Sequence, residues 1–184
     1  SRMKLIASQL ELLKQLRILH VEDDQAIYHQ MQVIVGRYCP NLEWATDGSD
    51  AKNKIINEHI FDVIISDIRM PNMDGVELVR FIRKHHPEQH IVITSATEDT
   101  QSIIELINLG VNHFIAKPIN FRELVNYLLV YCEYTNYQKT IEAKNLELKD
   151  ALIQLEQTSG QLAESQRIAS LAQLVTGIAH ELNT

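Results

Sequence analysis

Val63-Ile64-Ile65-Ser66-Asp67-Ile68-Arg69-Met70-Pro71-Asn72-Met73-Asp74-Gly75 is the stretch that decides the fold. Three β-branched residues in a row suit a strand buried on both faces. That run ends in a polar pair, Ser66-Asp67, and then loses its apolar character. Pro71, Asn72 and Gly75 are turn formers, and Asp74 is suited to the start of a helix, where carboxylates are favoured. The spacing predicts a helix from about Gly75 to His85. A buried strand therefore runs into a loop and a helix, with a carboxylate at the strand's carboxyl end.

The same unit recurs outward in both directions. Ile18-Leu19-His20-Val21 ends in Glu22-Asp23-Asp24, followed by a helix to about Arg37. Leu42 to Thr46 is strand-like but more polar, as suits an edge, and Asp47-Gly48-Ser49-Asp50 opens a helix to about His59. Ile91-Val92-Ile93 ends in Thr94-Ser95 before a helix from about Thr100 to Leu109. His113-Phe114-Ile115 ends in Lys117-Pro118, and the last helix begins near Asn120. Parallel strands need crossover helices, so five strands alternating with five helices imply a doubly wound α/β sheet. Ahead of it, residues 4–16 place Ile6, Leu10 and Leu13 on one stripe of a short amphipathic helix.

Four of the strands end in different chemical groups: Glu22 with Asp23, then Asp67, then Ser95, then Lys117. In open α/β sheets the ligand crevice lies at the carboxyl ends of the strands. In the order 2-1-3-4-5, adopted here from such sheets in general, strands one and three adjoin and Asp23 meets Asp67. Carboxylates that close resist ionising together unless a cation is shared. A hard cation such as Mg²⁺ takes oxygen ligands, and a hydroxyl and an ammonium complete a pocket for a phosphoryl group. Asp24 and Asp74 are assigned to helix N-termini. His20 is expected to be packed and hydrogen-bonded within strand one, and His85, His86 and His90 fit no metal site.

The run from Asp67 to Gly75, with Glu22-Asp23, Ser95-Ala96 and Lys117-Pro118, resembles the bacterial two-component receiver (response regulator) domain over about residues 17–133. The resemblance implies the flavodoxin-like sheet order 2-1-3-4-5. It also implies that Asp67 attacks a phosphohistidine of an upstream donor protein. Mg²⁺ would be bound by Asp23, Asp67 and the backbone carbonyl of Arg69, with Glu22 acting through water. Ser95 and Phe114 would form the switch, Lys117 would face the phosphoryl group, and the Lys117-Pro118 bond would be cis.

No strand signal returns after Phe121, and residues 134–182 contain no proline. Ile141, Leu148, Leu155 and Leu162 recur every seven residues, with Asn145 and Leu152 on the adjoining seam. This is a short coiled-coil pattern that favours a parallel homodimer over a helix packed on the receiver or on another domain. Past Gly160 the stripe shifts phase to Ile168, Leu171, Val175, Ile178 and Leu182, a local change of winding. In that frame His180 falls opposite the seam. The run Ser170 to Asn183 resembles the start of the H-box of sensor histidine kinases, which implies that His180 is a phosphohistidine and Glu181 its acid-base neighbour.

The organisation expected is therefore an N-terminal helix over 1–16, a receiver over 17–133, a coiled-coil signalling helix over 134–166 and the start of a kinase phosphoacceptor helix over 167–184. Ser1-Arg2-Met3 reads as a short non-native lead, and the far end as a cut within a helix of a longer protein. A formal charge of −7 argues against nucleic acid as a ligand. Cys39 and Cys132 stand far apart, which fits a reducing, cytoplasmic setting, and no stretch is apolar enough to span a membrane.

Two other functions are open. A stand-alone receiver could use the coiled coil only to recruit a partner, with no kinase following. A phosphatase of the haloacid dehalogenase type would need a second carboxylate two residues beyond Asp67, where this chain has Arg69. No glycine-rich phosphate loop appears, so this stretch is not expected to bind ATP.

Overall fold

The computed structural model describes residues 5–58 and 60–183. Its elements follow in the order α1 (Ala7–Gln15), β1 (Ile18–Val21), α2 (Gln25–Ile34), β2 (Leu42–Ala45), α3 (Gly48–Glu58) and β3 (Val63–Asp67). They continue with α4 (Gly75–His85), β4 (His90–Ser95), α5 (Thr100–Asn108), β5 (His113–Ala116) and α6 (Phe121–Leu182). The strands form one five-stranded parallel sheet in the order β2-β1-β3-β4-β5, with β2 at an edge as its polarity suggests. Expected residues at Lys4, His59 and Thr184, and the lead Ser1 to Met3, lie outside the described residues.

Side chains alternate between the sheet's two faces with the period of two that strand geometry imposes. On β1 and β3, Ile18, Val63 and Ile65 join Met31, Val35, Leu124, Val125 and Leu128 in one core layer. Leu19, Val21 and Ile64 turn the other way, toward Ala51, Ile55, Val79, Ile82 and Leu106. Burial on both faces explains why the strands read as unbroken apolar runs.

Helix α4 shows how local sequence sets its own limits. Asp74 caps it by accepting from Glu77 N–H at 2.9 Å, and the Glu77 carboxylate returns to Asp74 N–H at 3.0 Å. This reciprocal pair satisfies two N–H groups that a helix start leaves open. Val76, Leu78, Val79 and Ile82 are buried, while Arg83, Lys84 and His85 occupy the last turn, where cations are favoured. Asp24 caps α2 from one side only, its carboxylate accepting Ala26 N–H at 2.8 Å.

Helix α1 departs from the expected stripe. Leu13 and Leu16 are buried in the first core layer, whereas Ile6 precedes the helix and is exposed. Gln9 Nε2 donates to Glu133 Oε1 at 3.0 Å, so the N-terminal helix is part of the body that the start of α6 closes.

The chain divides into two compact units, Ser1–Tyr134 and Thr135–Thr184. The second consists of the remainder of α6, on which Leu148, Leu152, Leu155, Leu162, Ile168, Leu171, Val175, Ile178 and Leu182 are exposed. No described helix is long and apolar enough to cross a membrane.

Candidate functional site

Strands β1 and β3 are direct neighbours, with Val21 opposite Ser66, so the residues just beyond them converge. Oxygen atoms of Glu22, Asp23 and Asp67 lie within 4.8 Å of one another. Lys117 reaches the cluster from beyond β5, its Nζ 2.5 Å from Asp67 Oδ2 and 4.0 Å from Glu22 Oε2. The first is a charge-assisted hydrogen bond; the second is an ion pair beyond hydrogen-bonding range. Asp67 is further fixed by Ile68 N–H, which donates to its Oδ1 at 2.7 Å.

The three carboxylates differ in surroundings. Asp23 is exposed, Asp67 is buried, and Glu22 has no solvent exposure. Glu22 Oε1 accepts Asp24 N–H at 3.0 Å, but Oε2 has no hydrogen-bond partner. Burial, with the charges of Asp67 and Asp23, pushes the Glu22 carboxyl up to about 7, against the pull of Asp24 N–H and Lys117. A buried acceptor without a donor is costly, and a hard cation would relieve it with the oxygen ligands it prefers. The residues present thus fit a divalent cation held by Asp23 and Asp67, with Glu22 beside it.

The loop after Asp67 is held on two sides. Gly75 N–H donates to Ile68 O at 2.8 Å, and a Cβ at this position would run into the Asp67 carbonyl. Asn72, the one non-glycine residue with positive φ among those described, donates through Nδ2 to Asp47 Oδ2 at 2.7 Å. That bond and two backbone N–H groups hold the Asp47 carboxyl below its usual range, the bond from Asp50 N–H contributing most. Arg69 turns its side chain to Asp99, Nε to Oδ1 at 2.6 Å.

Ser95 ends β4 next to this group, and its carbonyl accepts Lys117 N–H at 2.8 Å. Phe114 stands opposite Ile93 on β5, half-buried against the second core layer. The Lys117-Pro118 bond is cis, as expected. His180 and Glu181 lie exposed on α6 in the second unit.

Residues 18–129 match the response regulator receiver domain family. The chain belongs to that family. Its receiver domain is 29% identical over 110 residues to the transcriptional regulatory protein PhoP of Escherichia coli K12, covering 60% of this chain and 49% of PhoP. It is 36% identical over 110 residues to the transcriptional regulatory protein KdpE of Staphylococcus aureus, covering 60% and 47%. Identity is 34% over 117 residues to the autoinducer 2 sensor kinase/phosphatase LuxQ of Vibrio vulnificus, covering 62% of this chain and 13% of LuxQ. The chain thus spans about half or less of the length of these curated relatives.

Among solved structures, a CheY-like receiver domain protein from Methanospirillum hungatei superposes with a TM-score of 0.62 at 27% identity, covering 67% of this chain and 98% of that one. The N-terminal domain of a Wolinella succinogenes protein gives 0.62 at 29% identity, covering 67% and 98%. Receiver domains generally bind Mg²⁺, in keeping with the acidic cluster here.

His20 corrects an expectation. It is fully buried, but neither ring nitrogen has a hydrogen-bond partner. Burial, with Lys117 nearby, pushes its pKa down to about 3, so the ring is a neutral packing group. Three site contacts were not read from the sequence: Asn72 with Asp47, Arg69 with Asp99, and the Trp44 indole with the Glu22 carbonyl at 2.7 Å. The turn pair Pro71-Asn72 facing Asp47-Gly48 was the one signal that could have suggested the first.

Proposed function

We propose that the protein works in a phosphorelay, with Asp67 accepting a phosphoryl group from the phosphohistidine of an upstream donor. The observation that carries this reading is the contact of Lys117 Nζ with Asp67 Oδ2 beside Glu22 and Asp23. An Asp67 oxygen bonds to phosphorus as the donor's phosphorus–nitrogen bond breaks, and the leaving imidazole recovers a proton. Lys117 and the Ser95 hydroxyl stabilise charge on the transferring oxygens, which is the main task of a protein in phosphoryl transfer. Asp23, Asp67 and the Arg69 carbonyl, with Glu22 acting through water, would hold a cation that would supply further positive charge to the same oxygens. Ser95 and Phe114 then read out the modification.

The output we assign to α6. Its exposed stripe fits a parallel homodimer with Asn145 setting the register, and the segment from Ser170 to Asn183 fits a kinase phosphoacceptor helix with His180 as phosphohistidine and Glu181 as its acid-base neighbour. Phosphorylation of Asp67 would control an attached dimeric histidine kinase on the cytoplasmic side, through the helix common to both units. The 34% identity over 117 residues to a sensor kinase/phosphatase supports this reading. A coiled coil that binds a partner without a kinase is the alternative output.

Treatment with acetyl phosphate tests the acceptor reading. Labelling that requires Mg²⁺ and disappears with a chelator is expected; labelling indifferent to the chelator would contradict it. Spin labels on α6 test the output. An altered interhelical distance on binding beryllofluoride is expected, whereas an unchanged distance or a monomer would contradict it.

A further inference from the structure

Trp44 is the chain's one tryptophan, and it sits on the edge strand β2. Its Nε1–H donates to the Glu22 carbonyl at 2.7 Å, and its ring stacks on Tyr28 of α2 with centroids 4.0 Å apart and planes 10° from parallel. Glu22 N–H donates to Ala45 O at 3.0 Å. The last paired residues of the two strands are Val21 and Ala45, so Glu22 lies just past the end of regular pairing. One edge strand therefore holds both main-chain polar groups of Glu22, the first through its backbone and the second through an indole.

This anchor has a specific load to resist. Oxygen atoms of Glu22, Asp23 and Asp67 lie within 4.8 Å of one another, and like charges at that separation repel. The Glu22 carboxyl is buried, with Oε1 held by Asp24 N–H at 3.0 Å and Oε2 lacking any hydrogen-bond partner, so a single side-chain hydrogen bond holds it. Past the end of the ladder, a strand terminus would relax away from such a cluster. The indole's single donor is aimed at the main chain of the residue that carries the buried acid.

We propose that Trp44 is a positioning residue of the cation site, acting through the main chain of Glu22, and that its emission reports divalent-cation occupancy. The inference rests on the cation reading of the acidic cluster. Loss of one neutral hydrogen bond of ordinary net strength corresponds to binding weakened about threefold to tenfold.

The test titrates MgCl₂ into the full chain by calorimetry and, in parallel, by tryptophan emission. In the wild type the emission change should saturate with the calorimetric midpoint. Trp44→Phe keeps an aromatic ring against Tyr28 and removes the donor; its calorimetric affinity should fall about threefold to tenfold with the circular dichroism spectrum retained. Tyr28→Leu removes the stack and keeps the donor; its affinity should stay within about twofold of wild type. Equal affinities for wild type and Trp44→Phe would overturn the proposal. So would an equal loss in Tyr28→Leu, since the effect would then be packing alone, or calorimetric binding without an emission change. A wild type that binds no Mg²⁺ would remove the cation reading itself, a result distinct from these.

Discussion

Arg69 Nε lies 2.6 Å from Asp99 Oδ1, joining the loop after Asp67 to the turn after Ser95. The other oxygen of Asp99 accepts Ala96 N–H at 2.9 Å. The Asp99 side chain is 3% exposed and that of Arg69 is 66% exposed, so the two partners are not equivalent. Asp99→Ala would leave the part-buried Ala96 N–H without its acceptor and is expected to cost about 1–2 kcal/mol. Arg69→Ala should cost less than about 1 kcal/mol, as for a pair whose cation is solvated. Urea denaturation of both variants measures the contrast, and equal costs would show that the ion pair outweighs the turn bond.

Cation affinity should depend on pH through Glu22. Burial raises this carboxyl to about 7, so below that pH the proton competes with the cation. Without cation, the raised value makes the group's contribution to stability fullest below about 4.5 and lost as pH rises through about 7. Mg²⁺ affinity should therefore climb as pH rises toward about 7 and level off above it. Glu22→Gln should flatten that climb, as calorimetry at a series of pH values would record.

His90 gives a second pH dependence, away from the acidic cluster. Its Nε2 lies 2.6 Å from the Tyr127 hydroxyl, and its ring tilts against Tyr131. Burial, then the charges of Arg83 and His113, lowers its pKa from 6.5 to about 4. The unfolded chain takes up this proton first as pH falls. Stability is thus fully present above about 6.5 and is lost progressively down to about 4. His20, lowered to about 3, contributes in an overlapping window. The difference between wild type and His90→Gln in thermal midpoint, followed from pH 7 to about 4, isolates the His90 share and should shrink toward low pH.

Gly75 is set by contact. Its Cα faces the Asp67 carbonyl and Ile68 Cα, backbone atoms that cannot swing aside. Gly75→Ala should cost about 1–3 kcal/mol by overpacking and should also slow labelling of Asp67. Thermal melts with parallel acetyl phosphate labelling would check both; wild-type values in both would mean that the loop has slack.

The sheet was legible because each strand is a short apolar run closed by a polar group, and α4 could be placed from Asp74, Gly75 and His85 alone. The acid cluster was legible as a set only by adopting a strand order, since no local pattern makes Asp23 and Asp67 neighbours. What escaped was non-local or one-sided. Asp99 lies thirty positions from Arg69, and the Trp44 indole donates to a residue beyond the end of another strand, a contact that no local pattern shows. Ile6 fitted the helical stripe but falls before the helix begins. His20 carries polar atoms that periodicity cannot show to be unpartnered.

The central claim is tested most directly by treating the wild type and Asp67→Asn with acetyl phosphate and Mg²⁺, trapping any acyl phosphate with borohydride and mapping the peptides. The account predicts one modified residue, Asp67, in the wild type and none in a folded Asp67→Asn protein. Modification at another residue, or labelling that survives the substitution, would contradict it.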